Sequence, residues 1–126
     1  MFWQSSLHSR DARCERWMRH GYALLCRQCY EEALAAFTQA LACQAGYAPA
    51  WRSKAFTLVH LHRPLEALAA AEQAIALDPG DPLAYQSKSR ALCALRRYAE
   101  ALDAYEEAHH LAPEAIPALW EELFSA

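Results

Sequence analysis

Apolar and small residues recur along the chain at helical spacing, and the spacing itself repeats. The stretch Trp51–Asp81 reads as two amphipathic segments broken at 61–64 and closed by Asp78-Pro79-Gly80-Asp81. Its pattern returns every 34 residues: Trp17, Trp51, Tyr85 and Leu119 fall in one column, and Gly21, Ala55, Ser89 and Leu123 in another. Leu24, Leu58 and Leu92, then Ala33, Ala67 and Ala101, then Ala40, Ala74 and Ala108 keep the same step. Phe37, Ala71 and Tyr105 share a further column. A period of this length, built from helix-spaced apolar positions, marks stacked helix pairs, because each pair buries its apolar stripe only against its neighbours.

Start and stop signals divide the chain. Ser9 or Asp11 is a cap residue for a first helix running to about Arg27, with residues 1–8 as a tail. A second helix is predicted over about 30–44, with Gly46 as its stop. Pro49 suits the first turn of a third, over about 48–61, and Pro64 that of a fourth, over about 64–77, since a missing N–H costs nothing there. Asp81 caps and Pro82 starts a fifth helix to about Leu95, and a sixth runs over about 98–111. A short last helix over 116–124 continues the register and reads as a cap, with Glu121 and Glu122 outward. The predicted organisation is therefore a single domain: residues 1–13 a tail and helix start, 14–47, 48–81 and 82–115 three repeats, and 116–126 a capping helix.

The chain resembles the tetratricopeptide repeat family. The marks are Trp17 with Gly21, Ala33, Phe37 and Ala40; Trp51 with Ala67, Ala74 and Pro79; and Tyr85 with Ala101, Tyr105, Ala108 and Pro113. It departs from the family at His20, Lys54 and Lys88, where a leucine is usual, and at Ala71, where an aromatic is usual. The resemblance implies an all-α, right-handed solenoid of three antiparallel helix pairs with a C-terminal capping helix. The first helix of each pair would line a concave face. Many members hold a carboxylate-ended chaperone tail there with lysine, asparagine and arginine. The corresponding places here are Met18, Tyr22, Ser53, Leu83 and Ser87, so that clamp is not expected.

Composition narrows the function. A net charge of −3 gives no overall bias toward nucleic acid, and no apolar run is long enough to span a membrane. Three glycines, spread apart, form no phosphate cradle, and no catalytic constellation stands out, so neither an enzyme nor a cofactor is expected. Five scattered cysteines fit reduced thiols in the cytoplasm. Cys26 and Cys29 have the spacing of half a metal site, with His60 one repeat later. Buried, inert thiols are the simpler reading, and no metal site is predicted.

Charge is segregated: the second, fourth and sixth helices contain no Lys or Arg. This predicts a positive groove against a negative back, although attraction between paired helices would give the same pattern. Helical spacing puts Met18, Arg19, Tyr22, Arg52, Phe56, Val59, His60, Gln86 and Arg90 on the inner face, with Trp120 and Phe124 added by the capping helix. Aromatic and arginine side chains in one groove favour binding. The sequence thus predicts a non-catalytic interaction module, an adaptor holding a peptide or helix segment with apolar and acidic residues. The alternatives are a small chaperone for secreted proteins, a self-associating module using Phe2, Trp3 and the capping helix and, from a different class, a metal- or redox-responsive protein using Cys26 and Cys29. His20, Lys54 and Lys88 are read as side chains whose stems cover helix surface, or as a basic ladder for ligand carboxylates.

Overall fold

The computed structural model describes residues 2–114, with side chains from Ala12 onward. Six helices follow one another: α1 (Phe2–Cys26), α2 (Tyr30–Cys43), α3 (Ala48–His60), α4 (Pro64–Leu77), α5 (Pro82–Ala94) and α6 (Tyr98–Leu111). They pack as the pairs α1/α2, α3/α4 and α5/α6, with α2 against α3, α4 against α5, and α3 beside α5. The predicted boundaries of the second to sixth helices hold to within a residue. The first does not: α1 begins at Phe2, well before Ser9 or Asp11, so residues 2–8 are helix rather than tail. No proline or glycine interrupts the chain before Gly21, and a usable cap residue is no obstacle to continued helix. The predicted capping helix over 116–124, with Trp120 and Phe124, lies outside the described residues.

The turn inside each pair is built the same way. Gln28, His62 and Arg96 have φ near +60°, at 60°, 59° and 62°. In each turn two backbone N–H groups return to the end of the preceding helix: Cys29 to Leu24 and Gln28 to Leu25, Arg63 to Leu58 and His62 to Val59, Arg97 to Leu92 and Arg96 to Cys93. This is the paired closure that usually has glycine at the left-handed position. Here three ordinary side chains take it, one per pair, so the closure is set by the fold and not by a glycine.

The core follows the columns. Ala33, Phe37, Ala40, Ala55, Ala67, Ala71, Ala74, Ala101 and Ala108 are all essentially inaccessible, at most 1% exposed. Alanines let helices approach closely, and Trp51 then joins the pairs. Its ring packs on the cores both before and after it, and its Nε1–H donates to the Ala45 carbonyl at 2.9 Å. Two buried hydroxyls are satisfied by backbone: Thr57 donates to the Ser53 carbonyl and Ser89 to the Ala101 carbonyl. No described helix is long and apolar enough to cross a membrane.

Candidate functional site

Stacking the pairs brings α1, α3 and α5 together around an open cavity of about 270 Å³. Its lining is Tyr22 and Leu25 from α1, Arg52, Ser53 and Phe56 from α3, and Leu83, Gln86, Ser87 and Arg90 from α5. Helical spacing placed Tyr22, Arg52, Phe56, Gln86 and Arg90 on the inner face, and the repeat aligns them as rows across the three helices. Tyr22 and Leu83 remain 40% and 47% exposed, so the wall is apolar yet accessible. Tyr22 is steadied by an edge contact with Phe37, ring centroids 5.7 Å apart, and by the Ser53 hydroxyl at 3.4 Å.

The structure gathers Tyr22, Arg52, Phe56, Gln86 and Arg90 as expected and moves four other candidates elsewhere. Met18 is a core residue, 4% exposed and clustered with Cys14, Leu24 and Phe37. It shares its register with Arg52 and Gln86, but an uncharged thioether can be buried where their polar ends must stay wet. Arg19 is exposed, and Val59 packs against the core around Leu58; neither lines the cavity. His60 stacks on Tyr30 at 4.8 Å, and its Nδ1 is 3.0 Å from the Phe56 carbonyl, so it supports Phe56 from behind. Among the described residues no three His, Cys, Asp or Glu groups come together closely enough to hold an ion. Cys26 is exposed and Cys29 half-buried, which corrects the expectation of buried thiols for this pair. Burial raises the Cys93 thiol above its ordinary range.

The electrostatics are more local than a positive groove. Arg52 Nη1 lies 3.0 Å from Asp81 Oδ2, and Asp81 Oδ1 accepts from the Leu83 N–H at the start of α5. Arg63 and Arg97 make two-point contacts with Glu66 and Glu100, at 2.7 and 2.6 Å for the shorter arms. Lys54 lies over the Trp51 ring at 5.2 Å and acts electrostatically on Glu66, as Lys88 does on Glu100. His20 is edge-on to Trp17. His20, Lys54 and Lys88 therefore stand with the tryptophan column, not in the cavity. The ion pairs join each turn arginine to the first turn of the helix it starts, and Lys54 and Lys88 add a charge contact across the two helices of a pair. No local sequence spacing signals the Arg52–Asp81 contact, which joins residues 29 apart. Nearby, burial pushes the Tyr47 phenol above its usual range, with Cys14, Tyr22 and Glu15 adding to the effect and Arg52 opposing it.

No protein-family model matches the chain, and no curated protein matches it. Solved structures do. The first TPR of Spaghetti (RPAP3), bound to the HSP90 peptide SRMEEVD, superposes with a TM-score of 0.82 at 22% identity, covering 87% of each chain. The OM64 TPR domain of Arabidopsis gives 0.81 at 22% identity, over 83% of this chain and 87% of its own. The TPR2B domain of yeast Sti1, in a complex with pHsp70, gives 0.78 at 26% identity, over 82% and 83%. The three helix pairs thus have the fold of a tetratricopeptide-repeat domain.

Proposed function

We propose that this chain is a non-catalytic, cytoplasmic interaction module whose cavity across α1, α3 and α5 holds a segment of another protein carrying apolar and acidic residues. The observation that carries the reading is the meeting of Tyr22, Phe56 and Arg90 at one open cavity. Aromatic and arginine side chains desolvate well and anchor specifically, which is why they dominate binding hot spots. The structural neighbours that hold chaperone peptides support the general use of such a fold. Met18 in the core, with Tyr22, Ser53, Leu83 and Ser87 at the other clamp places, directs the reading away from carboxylate-ended chaperone tails.

The test is a selection from a random peptide library displayed with both peptide ends joined to carrier sequence. Peptides selected on the wild-type protein should lose binding to Phe56→Asp, at unchanged helicity by circular dichroism. Peptides that bind Phe56→Asp equally well place recognition elsewhere and overturn the reading.

A further inference from the structure

The two cavity arginines are not equivalent. Arg52 is already committed: its guanidinium meets Asp81, whose side chain is only 10% exposed. Asp81 also caps α5 through Leu83. A ligand carboxylate that displaced Asp81 from Arg52 would leave a nearly buried aspartate uncompensated, and one that met the rest of the guanidinium would find its charge already offset by Asp81. Breaking such a pair costs more than the new contact returns. Arg90 has no ion-pair or hydrogen-bond partner among the described residues, and it lines the same cavity as Phe56 and Leu83. A ligand charge therefore gains at Arg90 and not at Arg52.

The size of the cavity limits the rest of the ligand. At about 270 Å³ it exceeds a site that holds benzene, about 150 Å³. One large apolar side chain fits. Since the anchor and Arg90 share one small cavity, the acid must be close in sequence to the anchor. An extended peptide advances about 3.3 Å per residue, so the separation is one or two residues.

We infer that the ligand of this cavity is an internal peptide segment with one large apolar anchor and a single carboxylate one or two residues away, read by Arg90, while Arg52 is a positioning residue held by Asp81. This rests on the groove reading proposed above, and the test separates the two. Peptides selected on the wild-type protein, with both ends blocked, are assayed against Arg90→Glu, Arg90→Gln, Arg52→Met and Phe56→Asp. The expected result is an enriched anchor-plus-acid pattern and a loss of about tenfold or more with Arg90→Gln, the scale of one charge-assisted hydrogen bond. Arg90→Glu should lose more and be rescued when the peptide acid is replaced by lysine. Arg52→Met, assayed together with Asp81→Asn so that no buried charge is left unpaired, should lose less than Arg90→Gln. Equal losses at Arg52 and Arg90, or selected peptides that lack an acid yet fail on Phe56→Asp, overturn this inference and leave the groove reading standing. Peptides indifferent to Phe56→Asp overturn both.

Discussion

In the first helix pair Gly21 lies beneath Phe37; in the second, the same two positions hold Ala55 and Ala71; in the third, Ser89 and Tyr105. All six are buried. A Cβ on Gly21 would come within 2.5 Å of the Phe37 ring, so the glycine is there to admit the aromatic. With Ala71 in place of the ring, Ala55 needs no such concession. The fold tolerates different volumes at this contact: glycine under an aromatic in the first pair, two alanines in the second, and serine with tyrosine in the third. That is also why single residues in these columns are poor guides to stability when read alone.

The largest effect should come from adding a methyl group to the first pair. Gly21→Ala gains helix propensity of about 1 kcal/mol, and overpacking of a tight core costs about 1–3 kcal/mol. Phe37 is 0% exposed and cannot swing aside, so the clash wins and the variant is destabilised. In the second pair the sign reverses, because Ala55→Gly removes a methyl group and should lose about 1 kcal/mol from helix propensity. Urea denaturation reads both. Gly21→Ala with Phe37→Leu should be more stable than the sum of the single changes. A Gly21→Ala variant more stable than wild type would break the comparison.

The third pair adds a hydrogen bond that the other two lack. Ser89 is wholly buried and donates to the Ala101 carbonyl at 2.9 Å, tying α5 to α6. Ser89→Ala places there the residue the second pair already uses, so packing is preserved and only the bond is lost. The carbonyl keeps its helical partner four residues on. The cost should be about 0.5–1.5 kcal/mol by urea denaturation. A neutral result would mean that the hydroxyl contributes nothing to joining the two helices.

Register, the boundaries of the second to sixth helices and part of the cavity lining were legible because each rests on local signals: the 34-residue columns, Pro49, Pro64, Asp81 and Pro82, and helical spacing. What stayed hidden depends on contacts distant in sequence or on choices among equivalent conformations. Gln28, His62 and Arg96 carry the left-handed turns without any residue that advertises them. Spacing put Met18 on the correct helix but could not tell how deeply a flexible apolar side chain turns inward. Counting charges by helix suggested a positive groove. The ion pairs show that Arg63 and Arg97 are engaged within their own pairs and Arg52 with Asp81, so of the two cavity arginines Arg90 is the one without an ion pair among the described residues.

Those surface pairs give the smallest expected effect, and again the first pair differs. Hydrogen bonds from Arg63 and Arg97 hold the Glu66 and Glu100 carboxyls below their ordinary value of 4.5; partial burial opposes this, and the arginine and lysine charges assist it. In the first pair Cys29 occupies the arginine position, so Glu32 has no such partner there. A carboxyl whose pKa is lower in the folded than in the unfolded chain contributes stability above about pH 4.5. That contribution is lost as pH falls through the lower folded value. The urea midpoint should therefore decline with acidification below pH 4.5. Glu66→Gln with Glu100→Gln should flatten that decline, because glutamine does not titrate. Cys29→Arg should do the opposite: a slight gain near neutrality, reduced by salt because the pair is exposed and absent in acid, would show that the first pair lacks only this contact. A decline of the same steepness in the double glutamine variant would assign the acid sensitivity to other carboxylates and remove these pairs from the comparison.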